Sequence, residues 1–209
     1  MMTDWIETLP SAWKGHRSFS EWLVTYLRPQ TVVELGVDYG YSSFCFATAL
    51  QKNRRGKIYS IDNFQGDKHT SFRNTKQIVV NHMNSHQLNH MEIIEKDFDT
   101  VAKTWNMPID ILHIDGLHTY EAIKNDYLTW SRFVKNSGVI LLHDVCVYHS
   151  DFGVHKFFGE INENKLYFEH SSGLGIISKN KELMDIIKET YPECKTKEVE
   201  KIKLKLKNI

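Results

Sequence analysis

The sequence has few cysteines and no pairing pattern among them. Cys45, Cys146 and Cys194 stand far apart without a CxxC spacing, which argues against a disulfide framework or a zinc knuckle and suits a reducing cytoplasm. There is no excess of either charge: 26 Lys and Arg balance 26 Asp and Glu. No global field therefore draws the chain to nucleic acid or to an anionic membrane. No apolar run approaches the ~20 residues of a membrane span. The opening MMTDWIETLPSAWKGHR lacks the apolar stretch of a signal peptide, so a cytoplasmic protein is expected. Also absent are a GxGxxG loop, a Gly-Lys-Ser/Thr phosphate loop, an Asp/Asn/Ser-Pro-Pro-aromatic motif and any internal repeat.

What is present is enough apolar material for a core. Hydrophobic residues make up 41% and aromatics 12% of 209 residues, which fits one domain with short terminal additions. β-branched and apolar runs at 31–35, 57–62, 91–97, 109–115 and 138–144 read as strands. They alternate with helical patterns over 41–52, 72–88, 120–134 and 153–162. Residues 166–170 and 173–178 read as a closing hairpin. This alternation predicts an α/β, doubly wound, Rossmann-like sheet covered on both faces. The boundaries expected are a helical extension over 1–30, the α/β domain over 31–180, and a C-terminal helix with a Lys-rich tail over 181–209. The tail, KTKEVEKIKLKLKNI, reads as a solvated amphipathic segment or as a contact with a partner subunit or acidic surface.

Five of the strands end in or beside an acid: Glu34, Asp62, Asp97, Asp115 and Asp144. In an open α/β sheet ligands bind outside the carboxyl ends of the strands, so these acids are expected along one rim. Between the first strand and the next helix, ELGVDYGYSS supplies Gly36 and Gly40 for a tight turn and close ligand approach, and the helix start offers amide donors. Glu34 in front of the loop would repel phosphates and suits a cationic ligand. Asp62, roughly 20 residues on, is placed to meet ribose hydroxyls. Asp97 reads either as an adenine neighbour or as the N-cap of FDTVAKTW.

IDILHIDGLHTYE places Asp115 at a strand tip with His118 three residues later, and GVILLHD ends in His143-Asp144. If these strands are neighbours, the two carboxylates lie side by side and call for a proton or a cation. Oxygen ligands suit a hard ion such as Mg²⁺; the alternative is that Asp144 caps the next segment. His118 has the ordinary pKa of a general base or is a hydrogen-bonded turn residue. His113, in mid-strand, reads as a satisfied core residue, and His143 points either to the site or to the other face.

The ordered set ELGVDYGYSS, IDNFQGDKH, ILHIDGLHTYEAIKNDY, GVILLHD and FGVHKFF resembles class I S-adenosylmethionine-dependent methyltransferases over residues 15–180. It is most similar to the small glycan-associated branch related to metal-dependent sugar O-methyltransferases. The resemblance implies a seven-stranded sheet with the last strand antiparallel. It implies S-adenosylmethionine as cofactor, held by Glu34, Gly36, Gly40, Ser42, Asp62, Asn63, Asp97 and Asp115. It further implies Mg²⁺ on Asp115 and Asp144, catalysis by His118 with Asp115, and Asp67, His69 and His143 facing the acceptor, a small molecule of the sugar or glycan class. Where those relatives carry two adjacent aspartates this chain has His143-Asp144, one carboxylate fewer. A homo-oligomer is compatible with this branch. Two alternatives stay open at this point: a nicotinamide-dependent oxidoreductase, and a non-catalytic S-adenosylmethionine-binding protein.

Overall fold

The computed structural model describes residues 4–149 and 151–196; the Lys-rich tail beyond 196 lies outside the described residues. Seven strands form one sheet: β1 (Thr31–Leu35), β2 (Lys57–Asp62), β3 (Met91–Glu95), β4 (Ile109–Ile114), β5 (Val134–His143), β6 (Lys165–Phe168) and β7 (Leu174–Ile177). Their spatial order is β3-β2-β1-β4-β5-β7-β6. The β1, β2, β3, β4 and β5 pairings are parallel, and β7 runs antiparallel to both β5 and β6. The α/β doubly wound sheet with its last strand antiparallel is therefore as expected. The order reverses between β1 and β4, which opens the crevice at their carboxyl ends.

Both faces are covered. Helices α1 (Arg17–Leu27), α2 (Tyr41–Asn53), α3 (Lys76–Ser85) and α7 (Lys181–Thr190) contribute to one buried cluster. Helices α4 (Phe98–Ala102), α5 (Tyr120–Trp130) and α6 (Val154–Glu160) contribute to the other. Residues of both chain ends, Trp13 and Phe19 before the sheet and Leu183 and Ile187 after it, sit in the first cluster with sheet residues such as Val32 and Ile111.

Several boundaries differ from expectation. The pattern over 72–88 becomes a helix only at Lys76, because Arg73 and Thr75 are drawn to Asp38. It ends at Ser85, before Gln87 turns to a φ of 51°. Helix α1 starts at Arg17, after a short 3-10 turn over Lys14–His16. Strand β5 begins at Val134 rather than 138, paired with Ile109 through a register shift.

Strand alternation sends Val33 and Leu35 to one face and Val32 and Glu34 to the other. Glu34 is 0% exposed, and a carboxylate so buried must be hydrogen-bonded. Ser42 Oγ donates to its Oε1 at 2.5 Å and His113 Nδ1 lies 2.9 Å from the same atom. Ser43 and Ser60 donate to Oε2. Trp13 Nε1 donates to His113 Nε2 at 3.1 Å, which leaves the ring proton on Nδ1, facing Glu34. His113 is thus a satisfied core residue. One carboxylate ties β1 to β2, β4, α2 and the segment ahead of α1.

Replacing Glu34 with Ala strands three hydroxyls and one imidazole in the core. We expect a loss of about 3–5 kcal/mol, read as a lowered midpoint in chemical denaturation. A variant as stable as the parent would show that the network does not hold these elements together.

Candidate functional site

Past β1, Gly36 has a φ of 93° and Gly40 a φ of 82°. A Cβ on Gly36 would lie 2.1 Å from the carbonyl oxygen of Asp115, so only glycine lets the β1 loop pass the tip of β4. Asp62, at the end of β2, holds this loop from the side. Its Oδ2 accepts the amides of Val37 at 2.7 Å and Asp38 at 3.3 Å, while Oδ1 accepts Phe64 N at 2.7 Å. The same carboxylate therefore sets the start of the next loop, residues 64–75. That loop is folded on Asp67, whose Oδ1 accepts the amides of His69 at 2.7 Å and Thr70 at 2.9 Å. It is anchored by Arg73, paired with both oxygens of Asp38 at 2.9 and 2.8 Å.

Between these loops and the tips of β3 and β4 lies a cavity of about 350 Å³. Gly36, Asp62, Asn63, Asp67, Asp97 and Asp115 all face it. The expected rim is thus largely assembled, with corrections. Glu34 and Ser42 do not reach the cavity: Glu34 belongs to the buried network, and the Ser42 hydroxyl is spent on it. Gly40 starts α2 behind the loop, its α-carbon against the Phe44 ring and Val79. Asp97 occupies the N-cap position of α4 without a side-chain cap bond; its carboxylate accepts from Asn63 at 3.3 Å.

Beyond Asp115 the wall continues into a cluster. His118 Nε2 is 2.8 Å from Asp144 Oδ2 and 3.4 Å from Asp115 Oδ1. His143 Nδ1 is 3.2 Å from Asp115 Oδ1 and 3.4 Å from Asp144 Oδ2. Its Nε2 lies 3.0 Å from the Ser171 carbonyl, which can only accept. His143 therefore points to the site, and its ring presents donors at both ends. Asp144, at a φ of 61°, spends its carboxylate on the two histidines rather than on a cap. Burial works against charge on His118, but Asp115 and Asp144 outweigh it and push its pKa up to about 10. They hold His143 above its ordinary value in the same way, again against burial. Burial would raise Asp115, yet His143 and His118 keep it well below the usual carboxylate range. His118 Nδ1 is buried without a partner.

His69 does not line the cavity. It lies 2.6 Å from Asp151 Oδ1 and packs against Phe152, which in turn stacks on His118 at 4.8 Å. This layer, where the resemblance implied that His69 faces the acceptor, roofs the histidine cluster.

Several wall residues went unnoticed in the sequence, among them Asp38, Arg73, Asp99 and Asp126. Asp126, on α5, is 7% exposed and faces the cavity. Burial, with the charge of Asp99 added, raises its pKa to about 7 against a weaker opposing bond from Asn125. Its signal was an acid on the stripe of Ile123, Tyr127 and Trp130, the buried face of α5. The folded chain holds this proton between the ordinary value of 3.8 and about 7, where the unfolded chain has released it. Stability from this group is thus present at low pH and lost as pH rises through that window. Relative to Asp126→Asn, the parent should lose up to about 4 kcal/mol between pH 4 and pH 8. Parallel stability-pH curves for the two proteins would refute this.

Comparison with known proteins agrees with this architecture. The chain is 33% identical over 181 residues to the uncharacterized protein y4gI of Sinorhizobium fredii. That match takes in 84% of this chain but only 20% of y4gI, so the chain spans about a fifth of that relative. Among solved structures, it resembles the O-methyltransferase TomG of Streptomyces achromogenes, involved in tomaymycin synthesis and solved with S-adenosylmethionine. Identity there is 14%, coverage 85% of this chain and 91% of that one, and TM-score 0.56. It also resembles an O-methyltransferase of Bacillus cereus solved with S-adenosylhomocysteine, at 14% identity, 78% and 81% coverage and TM-score 0.57. These likenesses are to the fold. A family model described as a methyltransferase domain matches residues 33–145, from the middle of β1 to just past Asp144, and the chain belongs to that family.

Proposed function

We propose that this chain transfers the methyl group of S-adenosylmethionine to a hydroxyl oxygen of a small molecule. The observation that carries the reading is the charge of the cavity. Asp38, Asp62, Asp67, Asp97, Asp99 and Asp115 line it, and the one lining cation among the described residues, Arg73, is tied to Asp38. Such walls repel phosphate and suit a ligand with an ammonium and a sulfonium group. The family match also stands against the nicotinamide oxidoreductase alternative, and a catalytic cluster at the cavity's end supports an enzyme over a passive binder.

In this reading the acceptor oxygen attacks the sulfonium methyl carbon in line. The C–O bond forms, the C–S bond breaks, and S-adenosylhomocysteine leaves. Loop amides, Asp62 and Asp97 hold the cofactor so that the methyl group lies near Asp115, and this alignment supplies much of the rate. The hydroxyl proton passes to Nδ1 of a neutral His118, its unpartnered nitrogen, and the resulting imidazolium is held by Asp115 and Asp144; because these carboxylates keep the ring protonated until the pH nears about 10, turnover by this route rises with pH. This is the acid-base logic of a histidine oriented by a carboxylate. Asp67, His69 and His143 surround the acceptor's approach. We propose a sugar or glycan hydroxyl as the acceptor, a class favoured by the motif resemblance, and a cytoplasmic setting, since no disulfide joins the cysteines and no described helix is long and apolar enough to cross a membrane.

Asp115, His118 and Asp144 each bring a ligand atom to within 4.8 Å of the others, so the donor set fits a hard divalent cation. Asp115 and Asp144 would hold Mg²⁺, which would lower the pKa of a coordinated hydroxyl.

Two measurements test the reading. Replacing His118 with Ala should lower turnover roughly 10²–10⁴-fold while calorimetry finds S-adenosylhomocysteine bound nearly as in the parent; loss of cofactor binding instead would make His118 structural. Dialysis against EDTA should reduce turnover, with recovery on adding Mg²⁺. Turnover indifferent to both would leave the two carboxylates as charge partners of His118 and His143 alone.

A further inference from the structure

We propose that Asp126 reads the Hoogsteen edge of the cofactor's adenine, N6 and N7, making it the residue that selects the base. The inference rests on the cofactor reading above and deepens it.

Asp126 stands where the periodicity of α5 calls for an apolar residue. Ile123, Tyr127 and Trp130 share its buried face, and the charged group beside it is another acid, Asp99. A carboxyl so buried, with no cation to match it, weakens the fold. Its placement in a ligand cavity gives it a use that packing does not.

Its surroundings have the shape of a base-binding notch. A Cβ on Gly116 would lie 2.7 Å from the Phe98 ring and 3.4 Å from Asp126 Oδ2. The glycine thus lets a flat aromatic face and a carboxyl meet beside the backbone at the tip of β4. Phe98, Asp99, Gly116 and Asp126 all face the cavity. They lie on the α4 and α5 side, past the β1 loop and Asp62 that the cofactor's methionine and ribose parts would use. The nucleoside base is the part of the cofactor left to fill this corner.

The chemistry fits adenine in particular. Burial and Asp99 favour the protonated carboxyl, which offers one O–H donor and one carbonyl acceptor in a plane. Adenine presents a complementary pair on its Hoogsteen edge, the N6 amine as donor and N7 as acceptor. Asparagine recognises adenine through the same donor-acceptor pair. Hypoxanthine presents two acceptors on that edge, O6 and N7, so one of them is left facing the carbonyl acceptor of Asp126.

The test is calorimetry with S-adenosylhomocysteine and S-inosylhomocysteine on the whole chain. The parent should bind the adenosyl compound at least about tenfold more tightly. Asp126→Ala should bind the two alike, and Asp126→Asn should keep the preference. A parent that binds both equally overturns the inference without any variant, and so does an Asp126→Ala protein that discriminates as the parent does. Failure of the parent to bind S-adenosylhomocysteine at all overturns the cofactor reading, and this inference with it.

Discussion

The molecule is organised around a buried negative charge. Glu34 lies fully buried at the centre of the sheet, and a carboxylate there is tolerable only if donors surround it. Ser42, Ser43, Ser60 and His113 supply them, and Trp13 fixes the His113 tautomer from the far side. Ser42 and Ser43 share the first turn of α2, Ser60 comes from β2 and His113 from β4. The network therefore sets the distance between β1 and its two neighbours and the position of the first turn of α2. The glycine loop hangs between those fixed points, which is how a residue that never meets a ligand shapes the place where one binds.

Asp62 performs the corresponding task at the surface of the same crevice. Its oxygens hold amides from the β1 loop and from the loop that follows β2. A ligand hydroxyl placed against Asp62 would join an array that is already oriented, so little reorganisation accompanies binding. Arg73 completes the enclosure by pairing with Asp38. That pairing cancels a cation the cavity would otherwise present and leaves the walls acidic.

Much of this was legible in the sequence, and the rest was hidden for definite reasons. Strands β1 and β2 match the expected residues because short β-branched runs ending at Gly36 and Asp62 admit few other readings. The acids at strand tips were visible as a set, but which way each one turns was not. Glu34 has the sequence signature of a rim residue, yet the period-2 alternation that buries Val32 carries it into the core. His143 faced the opposite ambiguity and turns to the site, because Ser171, from the β6–β7 turn, accepts its far nitrogen. That partner lies 28 residues away and no local pattern announces it. The polar start of β5 was missed because Lys135–Ser137 lack apolar character and fall within the register shift between the Ile109–Val134 and Ile111–Val139 pairs. Asp126 hid for a third reason: an acid within an otherwise amphipathic helix looks like surface until the helix is docked.

The placement of Asp115 links the two halves of the site. It faces the cavity and also contacts both His118 and His143. In the proposed reaction, methyl transfer would remove one positive charge from the cofactor sulfur and, with the acceptor's proton taken by a neutral His118, would create one on the imidazole. A carboxylate near both positions attracts the charge before and after the step, so the electrostatic work of moving it is small. Asp144 adds its attraction at the imidazole end alone, at 2.8 Å, and tilts the balance toward product. In water, solvent would have to reorganise around each charge; here the compensating charges are fixed in advance. The neutral thioether that remains has lost its attraction to the acidic walls. The same field that gathers the charged donor thus holds the spent one less strongly.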